Sequence, residues 1–296
     1  MPWVLLLFFG CQNPTPTPTK EPTKTQSNYR LPSSFKSYWF DGTAEISSYT
    51  LEQSRYGSIR KGTAVMIFVT EDFLPDSQVK ANKKSATTKS VLKLNRTKRF
   101  LTGIYPYTIM SSSFSYLGME PRLAKLSCSL QEWCGQSYLQ LNTRAENRLI
   151  SHSYFEGEAD QNVVFPEPLV TEDALWNLIR IHPEELPVGS FAMLPSLEVL
   201  RLHHLPLQTV AVTAQYRVGE TFSVYEVDFP SINRQLTITF ETKSPHRIES
   251  WIDRNGQGPE NTTTAQRKQI QKLPYWKLNK VGDETYRTLL DLNSTL

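Results

Sequence analysis

The stretch Thr221–Arg254, TFSVYEVDFPSINRQLTITFETKSPHRIESWIDR, decides the fold. In RQLTITFET, Leu236, Ile238 and Phe240 alternate with polar residues, which places three apolar side chains on one face of an extended chain. TFSVYEVDFP before it and HRIESWIDR after it repeat the period of two. Pro, Ser and Asn lie between the first two runs, and Lys, Ser and Pro between the last two, as turn residues should. One apolar and one wet face per strand is the pattern of half-buried antiparallel sheet.

The same signal extends upstream. GTAVMIFVTEDF, beginning at Gly62, is β-branched and aromatic. VLKLNRTKRFLTG, YPYTIMSSSFSYLG, LAKLSCSLQEWCGQSYLQLNTR and RLISHSYFEGEAD read as further strands. RYGSIRKG, with Gly57 and Gly62, supplies a hairpin connection. One helix interrupts the series: TEDALWNLIRIHPEEL has Thr171 at the N-cap, acids in the first turn, Leu175, Trp176 and Ile179 on one face, and Pro183 to stop it. DETYRTLLDL near the end reads as a short helix. The expected fold is mainly β, a curved antiparallel sheet or incomplete barrel with one packed helix and a short C-terminal helix. Its strands fall in one sheet system or in two lobes around 171–186.

Hydrophobic residues make up 39% of the 296 and charged residues 21%, enough for a core. The net charge of +3 is spread without a dense basic tract, so nucleic acid is not an expected partner. MPWVLLLFFGC opens the chain with an apolar run too short to span a bilayer, which needs about 20 residues. It reads as a lipoprotein signal, residues 1–11, ending at an acylated Cys11. Residues 12–34, rich in Pro and Thr, cannot bury surface and form a solvated tether. Residues 35–296 form the β-rich domain. The expected location is the bacterial envelope, as an outer-membrane lipoprotein facing the periplasm and held to the membrane by its lipid.

YWFDGTAEISSY, GTAVMIFVTEDFLP, TGIYPYTIM, QEWCGQ, SHSYFEGEAD and ELPVGSFAMLPSLEVLRLHH together resemble an uncharacterised family of Gram-negative envelope lipoproteins, over nearly the whole chain after the tether. The resemblance implies an envelope location and carries no activity or cofactor. Some members bear the label septum formation inhibitor Maf. True Maf proteins have a Ser-x-Ser-Pro-Arg-Arg phosphate motif on an α/β fold, and neither occurs here.

The chain lacks Gly-x-Ser-x-Gly, Gly-x-x-x-x-Gly-Lys, Gly-x-Gly-x-x-Gly, His-Glu-x-x-His and Cys-x-x-Cys. Weaker candidates remain. Read as one strand, SHSYFEGEAD puts His152, Tyr154, Glu156, Glu158 and Asp160 on a single face, where carboxylates and imidazole could hold Ca²⁺ or Zn²⁺ or act as acid and base. Gly157 argues for a bulge, and neighbours about 7 Å apart cannot share an ion without bending, so a solvated face is the plainer reading. In RLHHLPL, read as a strand, His203 and His204 point oppositely. His203 would complete a site only by meeting His152.

Cys128 and Cys134 in CSLQEWCGQSYLQL are six positions apart, about 20 Å along a continuous strand and too far to bridge. SLQEW offers no Gly, Pro, Asn or Asp for a turn. The expectation is two unpaired thiols, both packed on the face of Leu126 and Leu130, with disulfide and reactive Cys134 as alternatives. The function expected is a non-enzymatic binding or envelope-maintenance role without a cofactor, with a lipid or other apolar ligand. The alternatives are a metal- or thiol-dependent hydrolase using His152, Glu156, Glu158 or Cys134, and a structural subunit of an envelope complex.

Overall fold

The structure is a computed structural model that describes residues 31–118 and 123–292. Cys11 and the tether up to residue 30 lie outside the described residues. The tether boundary drawn at 34 falls inside helix α1 (Ser33–Trp39).

The strands are β1 (Ala44–Arg55), β2 (Ser58–Leu74), the two-residue β3 (Val79–Lys80), β4 (Lys89–Thr102), β5 (Tyr105–Tyr116), β6 (Leu123–Glu132), β7 (Gly135–Thr143), β8 (Asn147–Ser153) and β9 (Gln161–Phe165). Helix α2 (Glu172–Ile181), β10 (Gly189–Met193) and α3 (Leu197–Leu202) follow. The chain then runs through β11 (Val210–Arg217), β12 (Phe222–Phe229), β13 (Arg234–Glu241), β14 (Ile248–Asn255) and β15 (Thr262–Leu273). All belong to one antiparallel sheet. Its order is β10 to β15 in sequence, then β1, β2 and β4 to β9, with β3 paired to β2. β15 pairs with β1 and so joins the two halves of the chain. β9 and β10 are the two edges and do not pair with each other, so the sheet is not closed into a barrel.

Alternation explains the burial. Arg234, Leu236, Ile238 and Phe240 of β13 are buried and the residues between them are not. The inward rows of the other strands meet α2 and α3, which lie within the curve of the sheet and complete one core from Phe35 to Ala265. Register shifts in β1 at Ser48/Tyr49, in β5 at Phe114/Ser115 and in β13 at Thr239/Phe240 add the local bend that a wrapped sheet needs.

The strand directions define two ends. The turns at Tyr56–Gly57, Gly103–Ile104 and Trp133–Cys134, the 154–160 loop and the C-terminus of α3 share what we call the upper end. β1 starts at the lower end, so the N-terminal segment enters there, and α2 runs down toward it, where Arg180 Nε donates to Pro245 O at 2.8 Å.

Three segments differ from their sequence reading. CSLQEWCGQSYLQL is a hairpin: Glu132 pairs with Gly135 and Cys128 with Leu139. Neither turn residue has a positive φ. The Cys134 N–H donates to Glu132 Oε2 at 2.6 Å, so a carboxylate does the work that Asn or Asp would do in SLQEW. SHSYFEGEAD is the end of β8 followed by the loop that leads to β9, so its five residues do not share a face. RLHHLPL is the last two residues of α3 followed by a turn, and the helix has Ser196 as N-cap accepting from Val199 N–H at 3.2 Å. The helix at 171–181 forms as read, although Thr171 makes no side-chain cap. DETYRTLLDL is a 3-10 stretch, Asp283–Leu290.

Candidate functional site

The curve of the sheet holds charge as well as apolar surface. Arg96 Nη2 lies 3.5 Å from Asp173 and 3.4 Å from Glu198, and Lys98 Nζ lies 2.7 Å from Glu198. Arg234 donates to both oxygens of Glu172, at 2.6 and 2.8 Å, and to both of Asp253, at 2.7 and 3.0 Å. All seven side chains are buried. Burial pushes the Asp173 carboxyl up to about 6, with Arg96 opposing and Glu172 adding to the rise. Burial acts the same way on Glu198 and Asp253, but Lys98 and Arg96 for the first and Arg234 for the second outweigh it and hold both below the ordinary range. This network ties α2 and α3 to β4, β13 and β14. The two spaces beside it measure about 10 Å³ each, room for about one water.

An open cleft of about 510 Å³ lies at the upper end of β6, β7 and β8. Cys134, His152 and Asp160 line it together with Gln136, Tyr138 and Tyr154. His152 Nδ1 is 2.9 Å from Asp160 Oδ1. Cys134 is exposed in the turn, which corrects the packing role read from the sequence: the hairpin turns it out of the row of Leu126 and Leu130. Cys128 alone fills the core, where burial pushes its thiol up to about 12. Both thiols are free. Hydrogen bonding to Glu132, then its charge, pushes the Cys134 thiol up and disfavours the thiolate a nucleophile needs.

Glu158 turns to the inner side of the loop. It accepts from Ser153 Oγ at 3.2 Å, lies 3.5 Å from Arg201 Nε and contacts His204. Arg201 also donates to Ser137 Oγ at 2.6 Å and stacks over Phe155 at 3.9 Å. His204, not His203, is thus the histidine that meets an acid of the loop. His203 is exposed on the other side, among the charges of Asp253, Arg234 and Arg55, and Glu156 is exposed in the loop. Among the described residues, no group of three or more His, Cys, Asp or Glu side chains is placed to hold a metal ion.

A second cleft, about 300 Å³, opens at the lower end between α2 and the ends of β5 and β6. Leu123, Leu169, Val170, Leu175, Leu178 and Ile181 form most of its lining, with Ser115, Thr171 and Glu185 as its polar members. Ala174 and Leu178, one helical turn apart, are the two residues of α2 with partly exposed side chains that face it. Thr171 is buried in its wall, and its Oγ1 finds no hydrogen-bond partner among the described residues. Sequence reading missed this cleft, because Thr171 reads as an N-cap and the apolar face of α2 as core.

No family model matches this sequence, and no curated protein does. Among solved structures, a beta-barrel-like protein of a domain of unknown function, DUF1849, from Brucella abortus matches with a TM-score of 0.45 and 7% identity, over 78% of this chain and 97% of that one. Residue roles do not transfer at that identity.

Proposed function

We propose that this protein is a lipid-anchored binding protein of the bacterial envelope, tethered through Cys11 at the outer membrane and facing the periplasm, and that it takes an acyl-chain ligand into the lower cleft. The observation that carries the reading is the cleft beside α2: an apolar trough with a buried, unpartnered Thr171 hydroxyl in its wall. Open apolar surface stays wet at a cost of about 25 cal/mol per Å², and a hydrocarbon chain removes that cost. The hydroxyl offers one hydrogen bond to a carboxyl or ester head, and a buried hydroxyl without a partner costs about 1–3 kcal/mol. The cleft also opens at the end of the sheet where the N-terminal segment enters. A membrane tether there would hold it close to a source of acyl chains.

The anchor rests on the apolar run before Cys11, the polar tether and the resemblance to envelope lipoproteins. The hydrolase alternative is weaker. Its acids and histidines separate into two pairs on opposite sides of the 154–160 loop, and Glu132 pushes the Cys134 thiol up rather than down.

The test is lipid extraction from full-length protein purified out of membranes. We expect a non-covalent acylated species at near-stoichiometric amount, lost in Leu178→Arg, and a Cys11→Ser protein that moves to the soluble fraction. Protein free of extractable lipid would refute the ligand. A Cys11→Ser protein that stays on membranes would refute the anchor.

A further inference from the structure

We propose that the open cleft at the upper end of β6–β8 binds a neutral saccharide. Its floor is a row across three strands on the outer face: Ser129 sits opposite Tyr138, and Tyr138 opposite His152. The Tyr138 ring is exposed and held by its hydroxyl, which donates to Gln140 Oε1 at 2.8 Å. Tyr154, 77% exposed, lies against the backbone of Gly135, where a Cβ would come within 2.8 Å of its ring. A glycine at 135 is what lets that ring lie flat. Beyond the turn, Trp133, 68% exposed, stacks on Tyr105 with ring centroids 6.2 Å apart. Two exposed aromatic rings, Tyr138 and Tyr154, thus line the cleft.

The polar residues around these rings select the ligand. Gln131 and Gln136 supply amides, each donor and acceptor, and Ser129 a hydroxyl. Asp160 is engaged with His152 at 2.9 Å. Among the described residues no lysine or arginine lines the cleft, so no side chain there offers the charged donors that phosphate or carboxylate favours. The acyl chain assigned to the lower cleft does not suit a wall of amides and hydroxyls. A sugar ring does, because it offers one apolar C–H face to an aromatic ring and hydroxyls at its edge. A volume of about 510 Å³ is within the range of small-molecule sites. The two clefts lie at opposite ends, so failure of one assignment leaves the other standing.

The test uses full-length protein in a detergent without a sugar head. It is titrated with chitotriose, cellotriose and maltotriose, with the heat of binding and the alkylation rate of Cys134 as readouts, since Cys134 lines the cleft. We expect saturable binding of at least one trisaccharide below about 10 mM. Alkylation of Cys134 should slow when the cleft is filled. Tyr138→Ala and Tyr154→Ala should each weaken binding about tenfold without changing the melting temperature, Tyr154→Trp should retain it, and the remote Tyr286→Ala should leave it unchanged. Absence of saturable binding by all three sugars overturns the proposal. So does binding that both tyrosine-to-alanine variants leave intact.

Discussion

Asp173 is the residue at which charge and stability meet most directly. It faces Arg96 from β4, Glu172 beside it on α2, and Glu198 from α3, and its Oδ2 accepts from Leu197 N–H at 2.8 Å. Its folded-state value of about 6 stands above the ordinary 3.8. The native state therefore binds this proton more tightly than the unfolded chain. The stabilisation is complete below about pH 4 and is lost as pH rises through 6, an effect of up to about 3 kcal/mol. Asp173→Asn keeps an acceptor for Leu197 and copies the protonated form. Its stability relative to wild type should rise between pH 4 and 7, measured by urea unfolding of the Cys11→Ser protein. A difference that stays constant across that window would contradict the assignment. Glu45 and Arg180 behave otherwise. Arg180 donates to both oxygens of Glu45, at 2.6 and 2.7 Å, deep in the core. Burial raises Glu45, and the charge and hydrogen bonds of Arg180 outweigh it. Arg180→Met leaves a buried carboxylate without its main partner and should cost about 3–5 kcal/mol in the same unfolding assay.

At the scale of elements, the β6–β7 hairpin separates the two cysteines. Cys128 sits against Leu139 in the core and Cys134 in the turn. Native protein lacking Cys11 should show one fast-reacting thiol and reveal a second only on unfolding. Cys134→Ala should stay within about 0.5 kcal/mol of wild type, and Cys128→Ala should lose about 1 kcal/mol or more to the void. Two fast thiols, or none, would contradict the hairpin. The 154–160 loop makes a second prediction. Glu158→Ala removes the acid that holds Arg201 and His204, so protease cleavage in the loop should accelerate.

These elements also show what the sequence made legible. β12 to β14 and α2 were readable because eight or more residues repeat one period. The β6–β7 turn was hidden because Glu132, a residue without turn preference, satisfies the Cys134 N–H. α3 was hidden because six residues are too few for a helical period to outweigh RLHHLPL read as a strand. Of the candidate residues, Cys134, His152 and Asp160 line one cleft. Glu158 left it because a loop replaces the strand and no longer alternates.

At the scale of the molecule, local pattern predicts strands but not their order. Pairing of β1 with β15 joins Ala44 to Leu273, and the Tyr49 hydroxyl reaches Ile248 O, 199 residues away in sequence. No window of the sequence carries that pairing. The helices that fill the curve came from the long connections on either side of β10, and their charges pair with those of the strands at the centre. The trough beside α2 stays open at the lower end. Its direct test is titration with a fluorescent fatty acid, cis-parinaric acid, of wild type and Ala174→Trp, whose indole fills the trough from a position already half exposed. We predict saturable one-to-one uptake by wild type, and uptake weakened at least about tenfold in Ala174→Trp with the melting temperature unchanged. No saturable uptake by wild type, or equal uptake by the two proteins, would contradict an acyl ligand in that cleft.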